Sequence, residues 1–487
     1  QGMEHLTPRS GGEQFLKENY RLACQANIGE TKGNVEFNLL RRQPKILQSS
    51  ITRKTTLDPL ITRDDNGVFF GGTRIDSFSK AVYGLAVDVG TTTVVFNVVD
   101  LDTGMVLYTG SFENPQRFGG SDTMHRISYD GEYQGELQQA IVASLNFELR
   151  DMRKRCGISR RNIYEIVIVG NSTMRDIFFG IDVQPIGEKP YKSVIQTEME
   201  LGQRVTTALN VKASELGIQV CKDANVYGGP LIGCHVGSDV AADLIAIGID
   251  KQEDDLMLID VGTNTEIVVG NKDRLMAASC PAGPAFEGGL VTYAMPGYEG
   301  AVEHIEIVDG DVKWKTIGGA EPEGICGSGL IDLLAELRRT EEMNALGVFS
   351  EKRDRVTFIP EKGIFLSRSD VSALAQAKSA NYCGQRIVLR KFGVPIEGIS
   401  KLCLAGGFAN YMDVQNAMRI GFLPTIPINR VNKVGNASLE GATLMLVSKR
   451  LRKVAEELCN TTEHVELETT SDFFEIFVDG CMFNPLQ

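Results

Sequence analysis

The stretch YGLAVDVGTTTVVFNVVD, Tyr83 to Asp100, returns in form as LMLIDVGTNTEIVVG, Leu256 to Gly270. Each is an apolar run that ends in Asp-Val-Gly-Thr and continues into a second run rich in β-branched residues, the signature of two strands joined by a tight turn. Asp88 and Asp260 are 172 residues apart (260 − 88), too far for a local repeat, so the chain is expected to build the same hairpin in two lobes. A glycine directly after a strand lets backbone N–H groups approach a phosphate closely, and the threonine hydroxyls that follow add donors. An aspartate at the strand end is anionic and cannot bind phosphate itself, but it can hold Mg²⁺ or orient an attacking water. One Asp-x-Gly turn alone can be no more than a tight hairpin. A matched pair predicts two jaws that grip a nucleotide triphosphate, with Gly90, Thr91 and Thr92 in one and Gly262, Thr263 and Asn264 in the other. Asp88 and Asp260 are the expected catalytic and Mg²⁺-ordering carboxylates.

The 487 residues suggest two or more domains, and a hydrophobic fraction of 43% is ordinary for a folded chain. The net charge of −13 argues against nucleic acid and against an anionic membrane surface, yet allows a local phosphate site built from backbone donors and a metal ion. No apolar run reaches the roughly 18 residues of a spanning helix, and QGMEHLTPRSGG has no apolar core of a signal peptide. Ten cysteines without a CxxC pair read as reduced thiols of a cytoplasmic protein.

Along the chain, residues 1–42 hold a helical pattern, GGEQFLKENYRLACQ, and a strand-like GNVEFNLL; 43–80 read as a polar connector with an Asp65-Asn66-Gly67 turn. The alternating strands and helices that follow divide into a first lobe over 81–249, a second over 250–433, and a C-terminal segment over 434–487. MVLYTGSF is a third strand. Leu137, Ile141, Leu145, Leu149 and Met152 recur at helical spacing, with Gly157 to stop the helix. Ser238 is the expected N-cap of GSDVAADLIAIGI. GNASLEGATLMLVSKRLRKVAEEL reads as one long helix.

A base pocket is expected at LAGGFAN, where Gly406, Gly407 and Phe408 stand between a strand and a helix, with the helix around Ala377 and Lys378 as the opposing wall. CPAGPAFEGG reads as a loop facing the clamp, with Glu287 a catalytic or Mg²⁺-ordering carboxylate. GICGSG opens a helix whose free N–H groups suit an anion. ENPQRFGGSDTMHRI reads either as a solvated polar loop or as a contact to the terminal phosphate or a partner, and His125 has no orienting partner in the sequence. No GxxxxGK[ST] is present.

The order of these motifs resembles the superfamily of acetate and sugar kinases, actin-like chaperones and actin. Its phosphate-1, connect-1, phosphate-2, adenosine and connect-2 motifs match DVGTTT, GSDVAADLIA, DVGTNTE, AGGFAN and GNASLEGA. The implied fold is α/β, a two-lobed actin-like ATPase, with residues 1–42 as a partial N-terminal ferredoxin-like remnant. Within it, YGLAVDVGTTTVV, FENPQRFGGSDTMHRISY, IVGNSTM, CPAGPAFEGG, GICGSGLIDL and LAGGFANYMDVQNAMRIGFLP look like those of ATP-dependent reductive activators of corrinoid proteins. The resemblance implies ATP and Mg²⁺, a corrinoid (cobalamin-containing) protein as partner, a low-potential electron donor, and one-electron reduction of Co(II) to Co(I). It also implies an N-terminal plant-type [2Fe–2S] domain held by four thiolates. Here RLACQ alone fits, with Cys24 matching the last ligand, so the cluster is expected in a longer protein and not in this chain. A small-molecule kinase and an ATP-regulated scaffold or chaperone are the competing readings. Oligomeric state stays open, a homodimer included.

Overall fold

Both Asp-Val-Gly-Thr stretches are β-hairpins, and each begins a six-stranded sheet. The computed structural model describes residues 2–8, 21, 26–29, 31, 33, 35, 53–77, 79–281, 283–286 and 289–486. The chain divides into two units, Gln1–Gln43 and Pro44–Gln487. In the first, a turn over Met3–His5 is followed by a bridge between Leu6 and Ile28. The helix and strand expected there fall outside the described residues, apart from Arg21, Gly33 and Val35, and so does Cys24.

In the second unit the connector is more than a linker, since Ile61–Asp64, Gly67–Phe70 and Thr73–Asp76 form a small antiparallel sheet. The first large sheet contains β1 (Tyr83–Val89), β2 (Thr93–Asp100), β3 (Val106–Glu113), β4 (Ile163–Val169), β5 (Leu209–Lys212) and β6 (Asn225–Gly228), in the order β3-β2-β1-β4-β6-β5. The second contains β7 (Leu256–Val261), β8 (Thr265–Gly270), β9 (Leu275–Cys280), β10 (Lys401–Ala405), β11 (Val431–Gly435) and β12 (Glu463–His464), in the order β11-β10-β7-β8-β9-β12. Each has an antiparallel three-stranded meander whose first strand then pairs in parallel with a later one: β1 with β4, β7 with β10. The registers match as well. Asp88 lies opposite Val169, the last residue of β4, and Asp260 opposite Ala405, the last of β10. Strand β4 is buried along its whole length, which is why its sequence does not alternate; its one charged residue, Glu165, is paired with Arg452 at 2.6 Å.

The helices cover these sheets. The predicted stripe Leu137, Ile141, Leu145, Leu149 and Met152 is buried on α1 (Glu136–Cys156), and Gly157 closes it at φ 74°. Each such side chain contributes about 1.5–3 kcal/mol by burial. Helix α2 (Ser238–Ile247) begins with Gly237, not Ser238, as its N-cap; the Ser238 hydroxyl instead bonds both the carbonyl (3.0 Å) and the N–H (3.1 Å) of Gly170 at the end of β4. Between β9 and β10 lies an insertion with its own three-stranded sheet, α3 (Gly327–Arg339) and α4 (Arg368–Phe392). The expected long last helix is two, α5 (Ala437–Val447) and α6 (Lys449–Thr461). Ser448 between them is extended, and its side chain caps the second. Helix α5 directly follows β11 of the second sheet but packs on β1 and β4 of the first. Among the described residues no helix is long and apolar enough to cross a membrane.

Candidate functional site

The two hairpins meet at one cleft of about 340 Å³. The Thr92 and Thr263 hydroxyls, one from each lobe, are 3.2 Å apart across it. Asp88, Gly90, Thr91, Thr92, Asp260, Gly262, Thr263, Asn264, Gly406, Gly407 and Phe408 all line this cleft, so the structure gathers most of the residues singled out from sequence. Glu287 lies outside the described residues. The segment around it is not wholly loop, because Gly283–Phe286 is a short helix that brings Phe286 to the cleft wall.

Lys378 is elsewhere. Its ammonium is fully buried and donates to the carbonyls of Ile420 (3.1 Å) and Met482 (2.7 Å), and burial lowers its pKa to about 7. The expectation that its helix faces Gly406 and Gly407 is corrected: α4 packs on β8 and β9 and against the C-terminal helix Phe473–Gly480. At that end the wall comes from the insertion, with Met295, Tyr298, Ile317 and the start of α3 at Cys326–Ser328. Phe408 and Phe286 stand there with ring centres 6.0 Å apart. The two glycines differ in role. Gly406 has φ 92° and its missing side chain would strike the Val261 carbonyl, so the fold itself requires glycine. Gly407 has nothing within 4 Å and is open to the cleft.

The floor is acidic. Burial, then the charges of Asp239 and Asp260, push Asp88 up to about 8 against the pull of the Asn436 amide, which donates to it at 3.3 Å. Burial and Asp260 push Asp239 up to about 7, and burial pushes Asp260 up to about 6. Behind them Asp243, held by the Ser438 hydroxyl (3.1 Å), and Glu266, held by the Ser279 hydroxyl (3.0 Å), are raised well above the carboxylate range by burial first. Carboxylates crowded in this way call for a cation. Among the described residues no three acidic, cysteine or histidine side chains are set to chelate a metal by themselves. Mg²⁺ at nucleotide sites takes one or two carboxylates and completes its shell with phosphate oxygens and water. The donor set therefore fits Mg²⁺ arriving with a nucleotide, not a closed protein cage.

Asp239, Asn171 and Asn436 were not singled out from sequence. Asp239 was legible as one of two acidic residues, with Asp243, in the connect-1 match. Asn171 follows the strand that is register-equivalent to the one before Gly406, and its amide donates to the Thr91 hydroxyl at 3.1 Å. His125 does have an orienting partner, Asp122 at 2.7 Å, but it is exposed and does not line the cleft. None of the nine described cysteines forms a disulfide.

Two matched sheets, each giving a hairpin to a shared cleft, define the class: the actin-like fold of the acetate and sugar kinases, actin-like chaperones and actin. Residues 254–486 match the family model "C-terminal domain of RACo the ASKHA domain", and residues 83–252 match "RACo middle region". The chain is 32% identical over 449 residues to "Corrinoid activation enzyme RamQ" of Eubacterium limosum, spanning 85% of this chain and 74% of that protein. It is 23% identical over 428 residues to the "[Co(II) methylated amine-specific corrinoid protein] reductase" of Methanosarcina barkeri, 82% of this chain and 76% of that one. A solved structure, "Reductive activator for corrinoid,iron-sulfur protein", superposes with a TM-score of 0.76 at 29% identity, covering 100% of this chain and 92% of that one. This chain belongs to the RACo family, the reductive activators of corrinoid proteins.

Proposed function

We propose that the cleft binds Mg-ATP and that ATP turnover drives one-electron reduction of an inactive Co(II) corrinoid protein to Co(I). The observation that carries the ATP part is the convergence of two Asp-Val-Gly-Thr hairpins on one acidic cleft, Thr92 against Thr263 at 3.2 Å. The corrinoid part draws on the relatives, named as a corrinoid activation enzyme and a corrinoid protein reductase.

In this reading Gly90–Thr92 and Gly262–Asn264 receive the phosphates from opposite lobes. Asp88 and Asp260 orient the attacking water and hold the cation, and Asp239 shares the cation's charge. Mg²⁺ supplies charge neutralisation at the phosphate oxygens. The base lies along Gly407 toward Phe408, Phe286 and Tyr298. Residues 1–42 hold one cysteine, Cys24, and one thiolate does not build a four-thiolate cluster. The electron comes from a low-potential donor outside this chain.

The energetics suit a gate. An uphill gap of about 200 mV corresponds to roughly 4.6 kcal/mol for one electron. Tighter binding of one partner state supplies that much, since a micromolar complex is worth roughly 8 kcal/mol. ATP turnover resets the complex, and the partner should stimulate it, because ATP biases a partner-bound state only through differential affinity.

The test is spectroscopic. With a low-potential reductant present, the Co(II) band of a corrinoid protein should fall only when ATP is added together with a longer form of the protein that carries all four cluster thiolates, whereas the 487-residue chain should bind and slowly hydrolyse ATP without that change. ATP-independent loss of the band, or phosphate transfer to a small acceptor without any corrinoid effect, would replace this reading with the kinase one.

A further inference from the structure

The segment from Glu113 to Ile127 does not line the cleft, and while Glu113, Arg117, Ser121 and His125 on it are exposed, three of its polar side chains are not solvated at all. Asn114, Gln116 and Arg126 have no exposed surface. Together they hold the back of the first hairpin. The Asn114 amide donates to the Gly90 carbonyl at 2.8 Å, the Arg126 guanidinium to the Thr91 carbonyl at 2.6 Å, and the Asn114 backbone N–H to the Thr92 carbonyl at 2.8 Å. Three consecutive turn carbonyls are thus held by one segment. A carbonyl oxygen turned toward the cleft would repel a phosphate, so which way they point decides what the hairpin can bind.

Arg126 has a second peculiarity. Besides Thr91 it donates to the Gly120 carbonyl (3.1 Å), the Gln116 amide oxygen (3.5 Å) and the Met174 sulfur (3.0 Å), and all of these acceptors are uncharged. Asp122 acts on it only at longer range and is itself engaged with His125. Burial lowers Arg126 to about 10, which leaves it charged at neutral pH. A fully buried cation without a bonded carboxylate is disfavoured unless an anion elsewhere compensates it.

We propose that Arg126 and Asn114 are positioning residues for the phosphate end of the cleft. They turn the Gly90–Thr92 carbonyls away from it, and they set a buried positive charge behind the hairpin that acts on the phosphates of a bound nucleoside triphosphate. This rests on the nucleotide reading above.

Arg126→Met and Arg126→Lys separate the charge from the packing, because both keep a long side chain and only lysine keeps the cation. Calorimetric titration with ATP and with adenosine, which lacks phosphates, is the readout. Arg126→Met should raise the ATP dissociation constant about tenfold or more and leave that of adenosine unchanged, while Arg126→Lys should stay within about threefold of the parent. Equal losses in the two variants, losses that are the same for ATP and adenosine, or no loss would overturn the proposal. If Arg126→Met does not fold, Asn114→Ala serves in its place: it should weaken ATP and spare adenosine, and ATP binding like the parent's would overturn the assignment. A parent protein that binds neither ligand would remove the nucleotide reading and this inference with it. A parent that binds both, with Arg126→Met indistinguishable from it, would remove the inference alone.

Discussion

The two hairpins share Asp-Val-Gly-Thr and occupy equivalent registers, yet they are held in different ways. The first is braced: Asn114 and Arg126 grip its turn carbonyls, Asn171 grips the Thr91 hydroxyl, and Asn436 reaches Asp88. A Cβ on Gly90 would come within 2.5 Å of the Thr93 carbonyl. The second closes on itself, with the Gly262 N–H donating to the Asn264 carbonyl at 2.9 Å, and a Cβ on Gly262 would meet only that oxygen at 3.4 Å. Its Asp260 stands beside Asp243, and Glu266 rises from its second strand. A repeated motif therefore repeats a backbone shape without repeating its support, and the support is what each lobe adds for itself.

The largest effect should come from the acids. Asp260→Ala should lower phosphate release by a factor on the order of 10²–10³ while the protein stays folded. Unchanged turnover would take Asp260 out of the mechanism. Asp88→Ala is the matched experiment, and equal losses would mean that the hairpins contribute alike to chemistry in spite of their unequal bracing.

The glycines should separate the lobes by stability. Gly90→Ala forces backbone to move and should destabilise by about 1–3 kcal/mol, whereas Gly262→Ala should change little. Thermal unfolding reads this as a midpoint lowered by roughly 2–4 °C per kcal/mol in the first variant alone. Equal midpoints would erase the contrast. At the base end, Gly407→Val should weaken ATP binding with the melting point intact, because its side chain enters open space; Gly406→Val should lower the melting point as well. ATP titration beside a melting curve distinguishes the two.

The remaining effect is in pH. In the unfolded chain these aspartates titrate near about 3.9, and in the folded cleft Asp88 is raised to about 8 and Asp260 to about 6. Between those limits the folded state binds more protons, so without cation or nucleotide the stability from these groups is complete below about pH 4 and is lost as pH rises through 6 and 8. Asp260→Asn should flatten the lower part of that slope and Asp88→Asn the upper. Mg-ATP should oppose it. Denaturant titrations at stepped pH measure it, and stability rising across this range would contradict the acidic-floor description.

The strands of both hairpins were readable because β-branched runs buried on two faces leave little choice. Helix α1 was readable because its apolar spacing and Gly157 agree. What escaped were facts of tertiary environment. A polar segment such as ENPQRFGGSDTMHRI reads as solvated until the fold buries Arg126 behind a hairpin. Lys378, on an amphipathic helix near the right strand in sequence, turned out to serve carbonyls of the C-terminal segment. VGN and AGG look unlike each other, and only the register of β4 beside β1 and β10 beside β7 makes them counterparts.

Helix α5 crosses back to the first sheet, and that affects the order in which the protein can be made. Leu439, Leu444, Met445 and Leu446, together with Leu451 and Leu458 of α6, belong to the same core as the residues of β1 and β4. The Asn97 amide donates to the Thr443 hydroxyl at 3.1 Å, a buried bond between residues 346 apart. A nascent chain that has finished its first lobe still lacks one wall of that lobe until nearly the whole sequence has left the ribosome. Such long-range closure is slow and leaves apolar surface open in the meantime. The first lobe, made early, is thus among the last parts to be completed, and a chain cut short before Ala437 would present an unfinished core to the chaperones and proteases of its cell.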